Sequence, residues 1–278
     1  MKKRIQAAAL FLTLGVFAAL AWGCGPRACD YEYEVVSRYA DNCADSSECT
    51  SFYLSYPVFS KKWFSSAAVD SLNARVYRAT VGTEDKTAEG MAEDFLAGYR
   101  DFLNERDSIA RAEGDSTMAR YVPVWYYNAE CLVEVNGPEM VVTVLKFSQY
   151  EGGAHGMYGQ LYANYEVASG KRFALEDVFT DTLALARKIT ERFIQQNELD
   201  ASVPLCDQGY FIDEQWLPVT DNFALLPQGV TFHYNVYEIA PYSAGELSVI
   251  VPYEDLEGIL RFKPDFEKAE VFSSDSEQ

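Results

Sequence analysis

The stretch MVVTVLKFSQYEGGAHGMYGQLYANYEV, residues 140–167, decides how the chain folds. Residues 140–150 are rich in β-branched and aromatic types and read as a strand. Gly152, Gly153 and Gly156 crowd into the next few positions with His155, one of only two histidines in the chain. Glycines tolerate positive φ, so this segment reads as a tight turn. Residues 159–167 then return as a second strand. Upstream, residues 122–135 carry Val, Tyr and Trp and end at the turn signal Asn136-Gly137-Pro138, and Ser169-Gly170 turns the chain again downstream. The run reads as an antiparallel meander.

Helical patterns flank it. Met91, Phe95, Tyr99 and Phe102 recur at i, i+4, i+8 and i+11 with charges between them. That spacing predicts a helix from Thr87 to near Ala112. Residues 65–80 read as a shorter helix with Ala67, Leu72 and Val76 on one face, and residues 182–198 as a third with Leu185, Ile189 and Phe193. Residues 50–58, stopping at Pro57, form an early strand. Residues 222–226 and 230–235 alternate around Pro227-Gln228-Gly229, residues 247–252 make a last strand, and residues 253–260 a short helix. Helices and hairpins come in separate blocks, so the fold class is α+β: antiparallel β-meanders with helices packed on one face, in two similar-sized subdomains.

The N-terminus is a different kind of sequence. Lys2, Lys3 and Arg4 precede a short apolar run that ends at Ala21-Trp22-Gly23-Cys24, the pattern of a secretory signal peptide over residues 1–23. Cys24 directly after the cleavage point resembles a bacterial lipobox, with Ala21 where Leu is usual. It implies diacylation of Cys24 and a chain lipid-anchored to the bacterial cell envelope on the extracytoplasmic side, with no other membrane contact. Residues 24–49 read as a tether and residues 263–278 as a disordered tail. Outside the cytoplasm cysteines meet oxidising conditions. Cys43 and Cys49 are close enough to close a small disulfide loop, and Cys131 with Cys206 is a second possible pair.

The chain carries 23 basic and 42 acidic residues. Loss of Lys2, Lys3 and Arg4 moves the net charge from −19 to −22. Such acidity argues against nucleic acid and anionic membrane surfaces, and permits a basic partner. Chemistry is sparse. No HExxH, GxSxG, Walker A or CxxC pattern is present. Two distant histidines give no zinc site and no nucleophile elbow, so neither metal nor cofactor is expected, and the chain reads as a non-enzyme. The one local pairing is Glu151 with His155; a peptidoglycan-acting hydrolase using His155 and nearby carboxylates is the rival reading. The simpler role for His155 is a hydrogen-bonding latch for its glycine turn.

Further motifs stand in a fixed order. VASGKRFALEDVF (167–179), YEIAPYSAG (237–245) and LSVIVPYEDL (247–256) follow the glycine turn. Together, over residues 140–262, they resemble the DUF3298 domain family. FYLSYPVF (52–59) and the two helices after it, over residues 50–139, look like the DUF4163 domain that commonly precedes it. Similar tandem domains form the extracytoplasmic part of RsiV, an anti-sigma factor that binds lysozyme, and related domains accompany a peptidoglycan deacetylase that has its own catalytic domain. The resemblance implies a binding or sensing module whose ligand is a lysozyme-like basic protein or a cell-wall glycan. The candidate contact loops contain Glu151, Gly152, Gly153, His155 and Tyr158 on one side and Tyr237, Pro241 and Tyr242 on the other.

Overall fold

In a computed structural model of the full chain, the structure describes residues 31–43, 49–60, 66–82, 86–114, 117 and 124–272. The expected signal peptide over 1–23, Cys24 and the last six residues lie outside them. Among the described residues, nine strands and four α-helices follow in order: β1 (Glu32–Cys43), β2 (Cys49–Ser60), α1 (Ser66–Val81), α2 (Ala88–Glu113), β3 (Tyr126–Asn136), β4 (Met140–Tyr150), β5 (Met157–Glu166), α3 (Leu175–Val178), α4 (Thr182–Gln196), β6 (Phe223–Leu226), β7 (Gly229–Tyr234), β8 (Leu247–Val251) and β9 (Glu270–Val271). The fold is α+β with mainly antiparallel sheets.

Each element ends where its sequence tells it to. Thr87 caps α2 by accepting a hydrogen bond from the Gly90 N–H at 3.0 Å, and Gly114 closes the helix in the left-handed region. Asp181 caps α4 through Ala184. Pro138-Glu139 turns β3 into β4, with the Gly137 N–H bonded to the Met140 carbonyl.

The first sheet runs β1-β2-β3-β4-β5, and β9 adds to β3; the second is β6-β7-β8. All neighbours are antiparallel except β2 and β3, which pair in parallel over Ser51–Ser55 and Tyr126–Glu130. The two intervening helices are the crossover that parallel pairing requires. They cover one face of the first sheet. Phe52 and Leu54 meet Ala88 and Ala92 of α2, and Leu72 and Val76 of α1 pack against Ala129, Cys131 and Val141. The opposite face, over β4 and the end of β3, gives Val135, Met140 and Val142 to a larger core built from α4 and β6–β8.

Several expectations change. The tether expected over 24–49 is strand over Glu32–Cys43, zipped to β2 along its full length. Of the tail expected to be disordered over 263–278, the described part, 263–272, contains β9, and the Phe272 N–H bonds to the Glu134 carbonyl. The expected boundary at 139/140 falls inside the β3–β4 hairpin; the two sheets, not two halves of the sequence, are the units of packing. Cys131 and Cys206 are both free: the first is buried under α1, the second exposed on a 3-10 turn. Burial pushes the Cys131 thiol up to about 11, against hydrogen bonds from Thr80 and Thr143 that lower it. The backbones of Cys43 and Cys49 face each other across the β1–β2 hairpin, while their side chains lie outside the described residues.

The seam between the sheets is made by amide side chains. β5 is the last strand of the first sheet, so its outer backbone groups need partners. Asn222 and Asn235 supply them: their carboxamide oxygens accept from the Tyr162 and Gln160 N–H groups at 2.7 Å each, and both amide nitrogens donate to the Gln160 carbonyl. Asn164 reaches the other way, donating to the Phe223 carbonyl and accepting from the Leu225 N–H, both at 2.8 Å. A carboxamide carries the same donor and acceptor as a peptide, so it continues a ladder that no strand completes.

Candidate functional site

The β4–β5 hairpin ends in residues 151–156. Gly152 and Gly153 take φ of +99° and +102°, which explains the glycine pair. The turn sits over Trp125, whose ring is held from below by Phe95, Tyr99 and Phe102 of α2. Tyr150 donates from its hydroxyl to the Gly153 carbonyl at 2.9 Å and pins the turn. Gly156 is required for space: a Cβ there would lie 2.8 Å from both the Gln149 carbonyl oxygen and the Tyr126 hydroxyl.

The loop Tyr237–Gly245, between β7 and β8, comes back to this turn from the other sheet. Tyr242 opens a short 3-10 turn behind Pro241 and donates to the Gly156 carbonyl at 2.9 Å. The His155 ring stacks on Tyr242, centroids 3.9 Å apart and 23° between planes. His155 Nδ1 lies 2.9 Å from the Gly156 carbonyl oxygen, so that nitrogen carries the proton. Nε2 is then the acceptor for the Tyr237 hydroxyl at 3.3 Å. Tyr158 packs edge-on against Tyr242 at 5.7 Å, and Tyr237 lies 5.5 Å from the same ring. Tyr237 has φ of +69°, a left-handed conformation that costs a non-glycine residue about 1–3 kcal/mol. It remains half exposed. Desolvation, then the neighbouring phenols of Tyr158, Tyr126 and Tyr237, holds the Tyr242 phenol above its ordinary value.

The structure therefore brings His155, Tyr158, Tyr237 and Tyr242 into one aromatic surface, with Pro241 exposed at its rim. Gly152 and Gly153 shape the turn behind it. Glu151 is exposed, and both ring nitrogens of His155 are committed to other groups, so the expected Glu151–His155 pair does not form. Sequence reading missed Tyr126 and Tyr150, which stack at 6.1 Å beside the turn as a registered cross-strand pair. Strand parity measured back from the turn was the signal available.

His233 lies elsewhere, buried on β7. Its Nε2 is 3.0 Å from Glu246, with side chains 5% and 20% exposed. Burial pulls the Glu246 carboxyl up, but the His233 hydrogen bond and charge, with Gln160 and Lys146, outweigh it and hold the group below the usual carboxylate range. Tyr162 packs edge-on against the imidazole at 5.8 Å. Among the described residues, no group of three His, Cys, Asp or Glu side chains converges to hold a metal ion, and no helix is long and apolar enough to cross a membrane.

Residues 176–254 match the family model described as "Protein of unknown function (DUF3298)". Residues 43–158 match the model described as "Deacetylase PdaC", so the N-terminal segment is PdaC-like rather than specifically DUF4163. No curated protein matches the chain. A DUF3298 family member from Bacteroides fragilis, solved by crystallography, superposes with a TM-score of 0.67 at 23% identity, covering 86% of this chain and 96% of that one. A DUF3298 family protein from Pseudomonas aeruginosa gives 0.59 at 20% identity, covering 84% and 98%. The chain shares the fold of these proteins over most of its length, and its residues 176–254 carry a DUF3298 domain behind a PdaC-like segment.

Proposed function

We propose that this protein is a binding or sensing module of the bacterial cell envelope, anchored through a lipid on Cys24, with the His155–Tyr242 surface as its contact face. The ligand is a lysozyme-like basic protein or a cell-wall glycan. One observation carries the reading. Two loops 82 residues apart spend a strained Tyr237 and a stacked His155–Tyr242 pair on holding rings at the surface, where they are not needed for a core. Phenol rings give large contact area at low entropic cost and leave a hydroxyl for the ligand. The likeness to DUF3298 and PdaC models supports an envelope setting. The acidic chain favours encounter with a basic protein. In the same setting, the facing backbones of Cys43 and Cys49 favour a disulfide across the β1–β2 hairpin.

Hydrolysis through His155 has no support in the geometry, because no carboxylate orients the ring. The test is retention of hen egg-white lysozyme and of insoluble peptidoglycan by the purified protein. We expect one of them to be retained, and Tyr242→Ala to weaken retention by roughly tenfold or more. Retention of neither, or retention indifferent to Tyr242→Ala, rejects this reading.

A further inference from the structure

The aromatic surface does not stop at the two loops. Residues paired in register on neighbouring strands share a face of the sheet. Following Tyr158 inward, the partners are Ser148, Asn128, Tyr53 and Tyr39, one from each of β5, β4, β3, β2 and β1. All five therefore stand in one row across the first sheet. The alternate residues Phe52, Leu54 and Ala40 face α2, which puts the row on the opposite side, away from the helices. Tyr39 is 60% exposed and Asn128 is exposed. The next row toward the glycine turn contains the stacked Tyr126 and Tyr150. At the β5 end Tyr242 stands edge-on to Tyr158 and closes the platform like a wall. At the β1 end no further strand follows among the described residues, and the row is open there.

Strands lie about 4.8 Å apart, so four steps give a platform about 19 Å long. Its side chains are phenols, a carboxamide and a hydroxyl. In a chain of net charge −19 this row bears none; of the rows beside it, one sets Glu130 against Lys146, which balance, and the other carries one carboxylate, Asp41, hydrogen-bonded to the Tyr39 hydroxyl. A basic partner is drawn to carboxylates, and an apolar one to aliphatic groups; this row has neither. Flat rings at both ends of the row, with a carboxamide and a hydroxyl between them, match the C–H faces and hydroxyls of sugar rings.

We propose that the row from Tyr39 to Tyr158, walled by Tyr242, is the binding platform for an uncharged linear glycan lying across the strands, with several sugar rings in contact at once. This rests on the reading above and chooses the glycan among its ligands.

The test is titration of the full chain with N-acetylglucosamine oligomers from dimer to hexamer, on the wild type and on Tyr39→Ala, Tyr53→Ala and Tyr242→Ala. Tyr39 lies far from the loops and is too exposed to matter for folding. We expect affinity to rise with oligomer length. Tyr39→Ala should cost roughly tenfold for the hexamer and nothing for the dimer, whereas Tyr242→Ala should weaken both. Length-independent affinity, or a hexamer indifferent to Tyr39→Ala while Tyr242→Ala still matters, overturns the platform and leaves the loop surface standing. So does Tyr242-dependent retention of lysozyme with no oligomer bound. Indifference of every ligand to Tyr242→Ala removes both.

Discussion

The two histidines mark two regions that the fold uses in opposite ways. Around His155 the rings lie at the surface, His155 and Tyr237 exposed and Tyr158 and Tyr242 half-buried, and a strained residue holds one of them outward. Around His233 the side chain is buried, its nitrogen meets a carboxylate, and neighbouring asparagines satisfy the backbone of both sheets. The first region keeps its rings at the surface. The second joins the sheets and leaves nothing available. A histidine on a loop beside glycines draws attention in a sequence, yet the histidine paired with a carboxylate is the other one, and its partner Glu246 is held below the usual carboxylate range in a packed seam.

The comparison breaks first at the seam. Asn164→Ala removes a buried side chain that satisfies two backbone groups, the Phe223 carbonyl and the Leu225 N–H. We expect a loss of about 3 kcal/mol in chemical denaturation, with unfolding that stays cooperative. A change below about 1 kcal/mol would show that the apolar core alone joins the sheets.

The Glu246–His233 pair predicts a smaller, pH-dependent effect. Because the folded carboxyl is held below its ordinary value of 4.5, its contribution is present above that value and is lost as pH falls through the lower folded value. Glu246→Gln should cost about 1 kcal/mol at pH 7, and the gap from wild type should close as the pH falls below 4.5 in paired denaturation curves. A gap that is constant with pH would mean that the carboxylate charge plays no part.

The smallest effect on stability belongs to the exposed histidine. His155→Ala should change stability by less than about 0.5 kcal/mol while weakening whatever ligand Tyr242 binds, and His155→Phe should restore part of that binding by keeping a ring on Tyr242. A seam-like loss of stability in His155→Ala would make the loop a structural latch and merge the two regions.

Much of the fold was legible locally. The period of Met91, Phe95 and Tyr99 gave α2, and the glycines gave the β4–β5 turn. β1 was missed because its outward residues include the polar Ser37 and Asp41, and its inward ones, such as Glu34, Arg38 and Asn42, are not apolar enough to mark alternation. β9 was missed because two residues carry no period. The loop residues His155, Tyr237 and Tyr242 were legible as candidates, but the row through Tyr39 and Tyr53 was not, since it depends on the parallel register of β2 on β3.

The sequence by itself determined the α+β class, most element positions and the two loops that carry the rings, because periodicity, caps and glycine turns act over a few residues. Only the tertiary structure decided that the loops meet, that the asparagines form the seam and that one face of the first sheet is a neutral aromatic row. Those outcomes depend on pairings between residues tens of positions apart. Their partners are fixed by strand register and by which polar groups are left unsatisfied once the sheets have packed.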